Sequence, residues 1–284
     1  MTSNFGSGSS FFCPFRPDYG ILLCRTTFVL ARIRSTSVVG YNTITVAPGA
    51  TVAMGVQFET VDQKEIPIKN LVSIPAADRK YGASNNASAN GDNIWIFTGS
   101  SWTKYFAYKG KGMTEGRWCV VGDTTYQEIP DTLTLKAGQS FFFVRPTTAT
   151  ANTTITLAGG VKPLDKALEY SIAPGATVAM TFPWPVAMKV KDFGKYMVAA
   201  DRKYGASNNA SANGDNIWIF TGSSWTKYFA YKGKGMTEGR WCVVGDTTYE
   251  EIGDNIVINP GQAFFFVRPT TATANTTISF SLDK

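Results

Sequence analysis

The sequence predicts an all-β protein, two tandem β-sandwich or barrel-like domains from an internal duplication, on three observations. Short β-branched and aromatic runs recur roughly every 8 to 12 residues, the spacing of sandwiches and barrels, while helical periodicity is weak throughout. The segment AADRKYGASNNASANGDNIWIFTGSSWTKYFAYKGKGMTEGRWCVVGDTTY occupies residues 76–126 and returns, letter for letter, at 199–249. The composition is 13% aromatic and only 17% charged, against the usual ~25% charged of soluble proteins.

Residues 1–35 differ in composition from everything after them. They carry Arg16, Arg25, Arg32 and Arg34 against Asp18, half of the net charge of +6. The run ILLCRTTFVLA has the length of a signal-peptide core, but Arg25, Thr26 and Thr27 interrupt it and no A-x-A site follows. Residues 1–35 are therefore expected to be an atypical leader or arm, with a Cys13–Cys24 disulfide open but supported by nothing else.

The β-prone runs of the first copy follow in order: YNTITV, TVAMGVQFE, NIWIF, WTKYFAY, RWCVV, DTLTLK, FFFVRP and TTITL. NIWIF, TGSS and WTKYFAY form a predicted hairpin, because two β-prone runs flank a Gly-Ser turn. Alternation puts Ile94 and Ile96 on one face of its first strand and Trp95 and Phe97 on the other. In its second strand Trp102, Lys104, Phe106 and Tyr108 alternate with Thr103, Tyr105 and Ala107. One face is core; the mixed Trp, Lys, Phe, Tyr face is expected to stay half-exposed, since Lys104 has no evident reason for burial. KAGQSFFFVRP and NPGQAFFFVRP predict a glycine turn, then a strand ended by Pro146 or Pro269.

The stretch near Gly159-Gly160-Val161-Lys162-Pro163 punctuates the chain, predicting domains at 36–160 and 161–284. APGATVAM recurs at 47–54 and 173–180, and residues 55–75 are replaced in the second copy by the shorter 181–198. A unit of this size exceeds the ~20 to 50 residues of a solenoid repeat, so each copy is expected to hold its own core.

The exclusions are firm. With no histidine in 284 residues, there is no His general base, His-bearing triad or imidazole metal ligand. No apolar stretch approaches the ~18 residues of a membrane span. The basic excess beyond residue 35 is modest and spread along β-type segments, a weak indication of nucleic-acid binding, which usually shows as basic residues clustered on one face, so no nucleic-acid partner is expected. Cys119 and Cys242, both in RWCVVGD, fit no zinc or CxxC pattern and are expected to be buried apolar strand residues. No cofactor is expected.

The strongest functional hint is aromatic. Trp95, Trp102, Tyr105, Tyr108 and Trp118, with Trp218, Trp225, Tyr228, Tyr231 and Trp241 in the second copy, suit sugar binding, since flat rings stack on sugar C–H faces. Lys104 and Lys227 join that set, and the alternative for each aromatic residue is a place in the core. Duplicated platforms would raise avidity for a polymer. The loop SNNASANGDN, with Asn85, Asn86, Asn90, Asp92 and Asn93, offers oxygen donors to calcium but fits turn formation better. Its Asn86, with Asn152, Asn209 and Asn275, also lies in an N-x-[ST] sequon. The loop AYKGKGMTEGRW departs from the Walker pattern; its Lys109, Lys111 and Arg117 would hold a uronate or sulfate, or cap a solvated hairpin. Catalysis would need carboxylate pairs from Asp78, Asp92, Glu115, Asp123 and Glu128, or from Asp201, Asp215, Glu238, Asp246 and Glu251.

At VGYNTITVAPGATVAM, the aromatic hairpin, the GRW segment and the closing GQSFFFVRP, residues 38–284 resemble a loosely defined group of secreted β-rich repeat proteins from bacteria of the Verrucomicrobia and Lentisphaerae type. Phe stands in FFFVRP where that group's closing turn has Trp. The resemblance implies an extracellular or cell-surface location. The expected function is a non-catalytic β-repeat protein that binds polysaccharide through duplicated aromatic platforms. The alternatives are a self-associating structural subunit of a surface layer or filament, and a His-independent, carboxylate-type glycoside hydrolase or lyase.

Overall fold

Period-two alternation becomes strand almost wherever the sequence carries it. The computed structural model describes residues 39–60, 65–71, 90–110, 113–114, 116–162, 167–197, 213–233, 236–237 and 239–281. The predicted leader, the Cys13–Cys24 disulfide and most of the Asx-rich loop lie outside these residues. The described chain is mostly strand, in several antiparallel sheets, with few helices. No helix among the described residues is long and apolar enough to cross a membrane.

The first copy contains β1 (Val39–Val46), β2 (Thr51–Gly55), β3 (Phe58–Glu59), β4 (Ile66–Pro67), α1 (Ile68–Leu71), β5 (Asn93–Phe97), β6 (Trp102–Tyr108), β7 (Arg117–Val120), β8 (Thr134–Leu135), β9 (Ser140–Val144) and β10 (Thr153–Val161). The second contains β11 (Leu168–Ile172), β12 (Thr177–Thr181), β13 (Met188–Lys189), a 3₁₀ helix (Val190–Tyr196), β14 (Asn216–Phe220), β15 (Trp225–Tyr231), β16 (Arg240–Val243), β17 (Val257–Ile258), β18 (Ala263–Val267) and β19 (Thr276–Phe280). Each copy builds a five-stranded antiparallel sheet, in the order β2-β9-β5-β6-β7 and β12-β18-β14-β15-β16. The opening strand pairs with the closing one, β1 with β10 and β11 with β19.

The predicted hairpin is β5 and β6, in register from Asn93 opposite Phe106 to Phe97 opposite Trp102. Thr98 closes its turn, its N–H donating to the Ser101 carbonyl at 2.9 Å, and Gly99 supplies a φ of 94°. Alternation then divides the side chains of each sheet. In the first copy Val46, Met54, Phe58, Ile94, Tyr105, Trp118, Phe141, Phe143 and Ile155 form one buried cluster. The second copy repeats it with Ile172, Met180, Phe182, Ile217, Tyr228, Trp241, Phe264, Phe266 and Ile278. Trp184 and Phe193 of the divergent 181–198 stretch also enter the second cluster, where Phe193 meets Trp241 edge-on at 5.7 Å.

Strand-to-strand ladders stay within 39–161 or within 168–280, yet the described residues all belong to one compact unit. Reciprocal contacts join the copies. The Gly55 N–H donates to the Gly261 carbonyl at 2.8 Å and the Thr181 N–H to the Gly138 carbonyl at 2.9 Å. Met54 bridges Gln262 as Gln139 bridges Met180. This residue-for-residue reciprocity is that of an isologous, two-fold contact. Gln57, 1% exposed, adds hydrogen bonds from its amide to the carbonyls of Phe182 (3.1 Å) and Trp184 (2.6 Å). Gly138 must be glycine: its φ is 88°, and a Cβ would lie 2.1 Å from Cδ2 of Leu168.

Candidate functional site

Each five-stranded sheet has a core face and an aromatic face, and the predicted site residues divide between them. Tyr105, Trp118, Tyr228 and Trp241 point into the cores and are 5%, 3%, 5% and 4% exposed. They offer no ring face to a polymer and leave the platform set. The physical reason is register: Tyr105 shares a strand face with Ala107, and Trp118 stands opposite Ala107 across the β6–β7 ladder. Burial pushes the hydroxyl pKa of both Tyr105 and Tyr228 upward.

The opposite face collects Trp95, Phe97, Trp102, Lys104, Phe106, Tyr108 and Phe142. Trp95 stands across the ladder from Lys104 and, on its other side, from Phe142. That places the Lys104 Nζ 4.1 Å from the centre of the Trp95 ring; Lys227 sits 4.0 Å over Trp218 in the second copy. Such ammonium–indole contacts are worth roughly 0.5–1 kcal/mol at exposed sites. Among the described residues, no carboxylate lies within ion-pair distance of Lys104 or Lys227. Trp102, 36% exposed, packs at 5.1 Å from both Phe97 and Phe142.

These two aromatic faces run into each other. Phe97 meets Phe265 at 5.1 Å, Phe142 meets Phe220 at 5.5 Å, and Phe142 stacks with Phe265 at 6.2 Å. Trp102 lies 6.0 Å from Phe265, and Trp225 lies 5.9 Å from Phe142. The result is one aromatic strip, Lys104–Trp95–Trp102 continuing through Phe142 and Phe265 to Trp225–Trp218–Lys227. Phe142 and Phe265 were absent from the predicted site. Alternation within FFFVRP is the signal for them, since it sends the middle Phe away from its two core neighbours.

Tyr108 lies farther along the same face and stacks on Tyr126, centroids 4.3 Å apart and planes 4° from parallel; Tyr231 and Tyr249 repeat this at 4.5 Å. Tyr126 adopts a φ of 52°, unusual for a bulky residue. The preceding Asp123 accepts hydrogen bonds from the Thr125 hydroxyl and N–H, which lower its pKa and fix the turn. Tyr126 therefore occupies one face of Tyr108. The sequence carries no local sign of that stack.

The alternative chemistries find little support among the described residues. Asp92 is fully buried, and Nη1 of Arg145 donates to its two oxygens at 3.1 and 3.0 Å. Arg145 also donates from Nε and Nη2 to the Ala151 carbonyl at 2.9 and 2.7 Å. Asp215 and Arg268 repeat the pair. A carboxylate so held suits neither calcium nor proton transfer. Asp78, Glu115 and their second-copy counterparts lie outside the described residues. No group of three or more metal-ligating side chains occurs among the described residues. Cys119 and Cys242 are free thiols inside strands as expected, and burial raises both to about 11. Comparison with known proteins finds no matching family model, no matching curated protein and no matching solved structure.

Proposed function

We propose that this is a non-catalytic, extracellular or cell-surface β-repeat protein that binds polysaccharide along its aromatic strip, each copy being a small sandwich-like module of a duplicated chain. The observation that carries the reading is the half-exposed row of indoles, with Trp102 and Trp225 both seated on Phe142 and Phe265. Indoles held by neighbouring rings are rigid and lose little entropy when a pyranose stacks on them. The resemblance to secreted β-rich repeat proteins is in keeping with such a role. Affinity electrophoresis across neutral, uronic and sulfated polysaccharides, with Trp102→Ala and Trp225→Ala singly and together, tests it. Retardation that each substitution weakens and the pair abolishes is the expected result. No retardation by any polymer removes the reading.

One observation favours the structural-subunit alternative. In β1, whose one ladder among the described residues is with β10, Val39 is 67% and Tyr41 77% exposed, as on edge strands available for pairing between chains. Ordered polymers of concentrated protein under the electron microscope would place that role first.

A further inference from the structure

We propose that the strip is a single composite site for an acidic polysaccharide, one chain lying across both copies with carboxylates or sulfates at the two lysines. The inference rests on the polysaccharide reading above and deepens it in two respects, ligand charge and site number.

The charge argument begins with Lys104 and Lys227. Each ammonium is held over an indole, partly shielded from water and without a carboxylate neighbour among the described residues. An ammonium has three donors, and the ring engages only part of that capacity. Four described acidic side chains, two in each copy, are already engaged. Asp92 and Asp215 are buried against guanidinium groups, and Asp123 and Asp246 accept from Thr125 and Thr248. Two cations thus stand at the ends of an apolar strip with no anion among the described residues to meet them. A chain of uronates or sulfated sugars supplies both parts, C–H faces for Trp102 and Trp225 and oxyanions for the lysines.

The number argument comes from the joint. Trp102 and Trp225 share both Phe142 and Phe265 as neighbours. In this proposal the two indoles, which flank one buried phenylalanine pair, are parts of one site, so that a single sugar chain spans both. Because the strip is two-fold related and a polysaccharide is directional, the chain binds in either direction with nearly equal affinity.

Calorimetry on the full chain with polygalacturonate, its fully methyl-esterified form and a short oligogalacturonate tests both parts, with oligo(dT) as competitor. The expected result is binding of polygalacturonate with one oligogalacturonate per chain and roughly tenfold weaker binding of the methyl ester. Lys104→Gln with Lys227→Gln should weaken polygalacturonate roughly tenfold, about 1.4 kcal/mol, and leave the ester unchanged. Equal binding of acid and ester, or an unchanged Kd in the lysine variant, overturns the acidic assignment while leaving polysaccharide binding intact. Two oligogalacturonates per chain overturn the composite site. Stronger competition by oligo(dT) than by polygalacturonate overturns the ligand class, and no binding of any polysaccharide removes the parent reading instead. An unchanged melting temperature in the lysine variant shows that its fold is retained.

Discussion

Replacing Arg145 with Met removes the guanidinium from a fully buried carboxylate. In the native protein that guanidinium makes two hydrogen bonds to Asp92 and two to the Ala151 carbonyl, with both charged side chains 0% exposed. The Ala151 carbonyl, in a part-buried contact, also loses the two donors of this side chain. The dominant loss is the buried carboxylate stripped of its countercharge, and breaking such a pair costs about 3–5 kcal/mol. At roughly 2–4 °C per kcal/mol for a unit of this size, the melting temperature falls by about 10 °C. Because Arg268 holds Asp215 in the same geometry, Arg268→Met should cost nearly as much. Asp92→Leu with Arg145→Met should recover part of the loss, since an apolar pair of similar volume often equals a buried ion pair, while the other groups that meet Asp92 lose an acceptor. Urea unfolding of the singles and the double closes the cycle. A cost under about 1 kcal/mol for Arg145→Met, or a double variant less stable than the single, refutes the reasoning.

Gly138→Ala should destabilise by more than the ~1 kcal/mol of a strained φ, because its methyl forces the ends of Leu168 and Tyr170 to shift, whereas Gly99→Ala, with nothing within 4 Å, should cost only the φ term. Equal melting temperatures for the two variants would count against the close joint. Gln57→Leu removes two buried hydrogen bonds between the copies and should cost about 1–3 kcal/mol by urea unfolding. In a Cys13→Ser, Cys24→Ser background, Cys119 and Cys242 should resist a thiol reagent at pH 8 until urea unfolds the chain, since burial keeps them protonated. Asp254, hydrogen-bonded by Lys189 and Lys191, is held down to about 2. A depressed carboxylate contributes stability present above its unfolded value, ~3.9, and lost as pH falls through 2. Asp254→Asn should therefore flatten the urea midpoint between about pH 4 and 2, and identical profiles for variant and parent would exclude it.

Elements governed by neighbours in sequence were legible, and contacts between distant segments were not. The hairpin of NIWIF and WTKYFAY, with Tyr105 and Ala107 in the core and Trp102, Lys104 and Tyr108 at least partly exposed, follows from period two and a Gly-Ser turn, although Phe106 on the Lys104 face is buried. Tyr105 belonged by the same alternation to the core face, and Trp118 required the β6–β7 register, which nothing local specifies. The partner of Arg145 lies 53 residues away, so FFFVRP alone shows an arginine after an apolar run but no reason for it. Val190, Phe193 and Tyr196 recur every third residue on a 3₁₀ helix of seven residues, too short to show a helical period. The joint escaped because Phe142 and Phe265 sit in matching segments, and a local pattern cannot say that a segment packs against its own duplicate.

The most direct test is the indole N–H spectrum of ¹⁵N-labelled protein during titration with polygalacturonate. The chain has seven tryptophans, of which Trp118, Trp184 and Trp241 are core residues and serve as internal controls. If one polymer chain lies along the shared strip, Trp102 and Trp225 shift together with a single Kd while the three core indoles stay in place. Core indoles moving while Trp102 and Trp225 remain still, or no indole moving at saturating polymer, would contradict it.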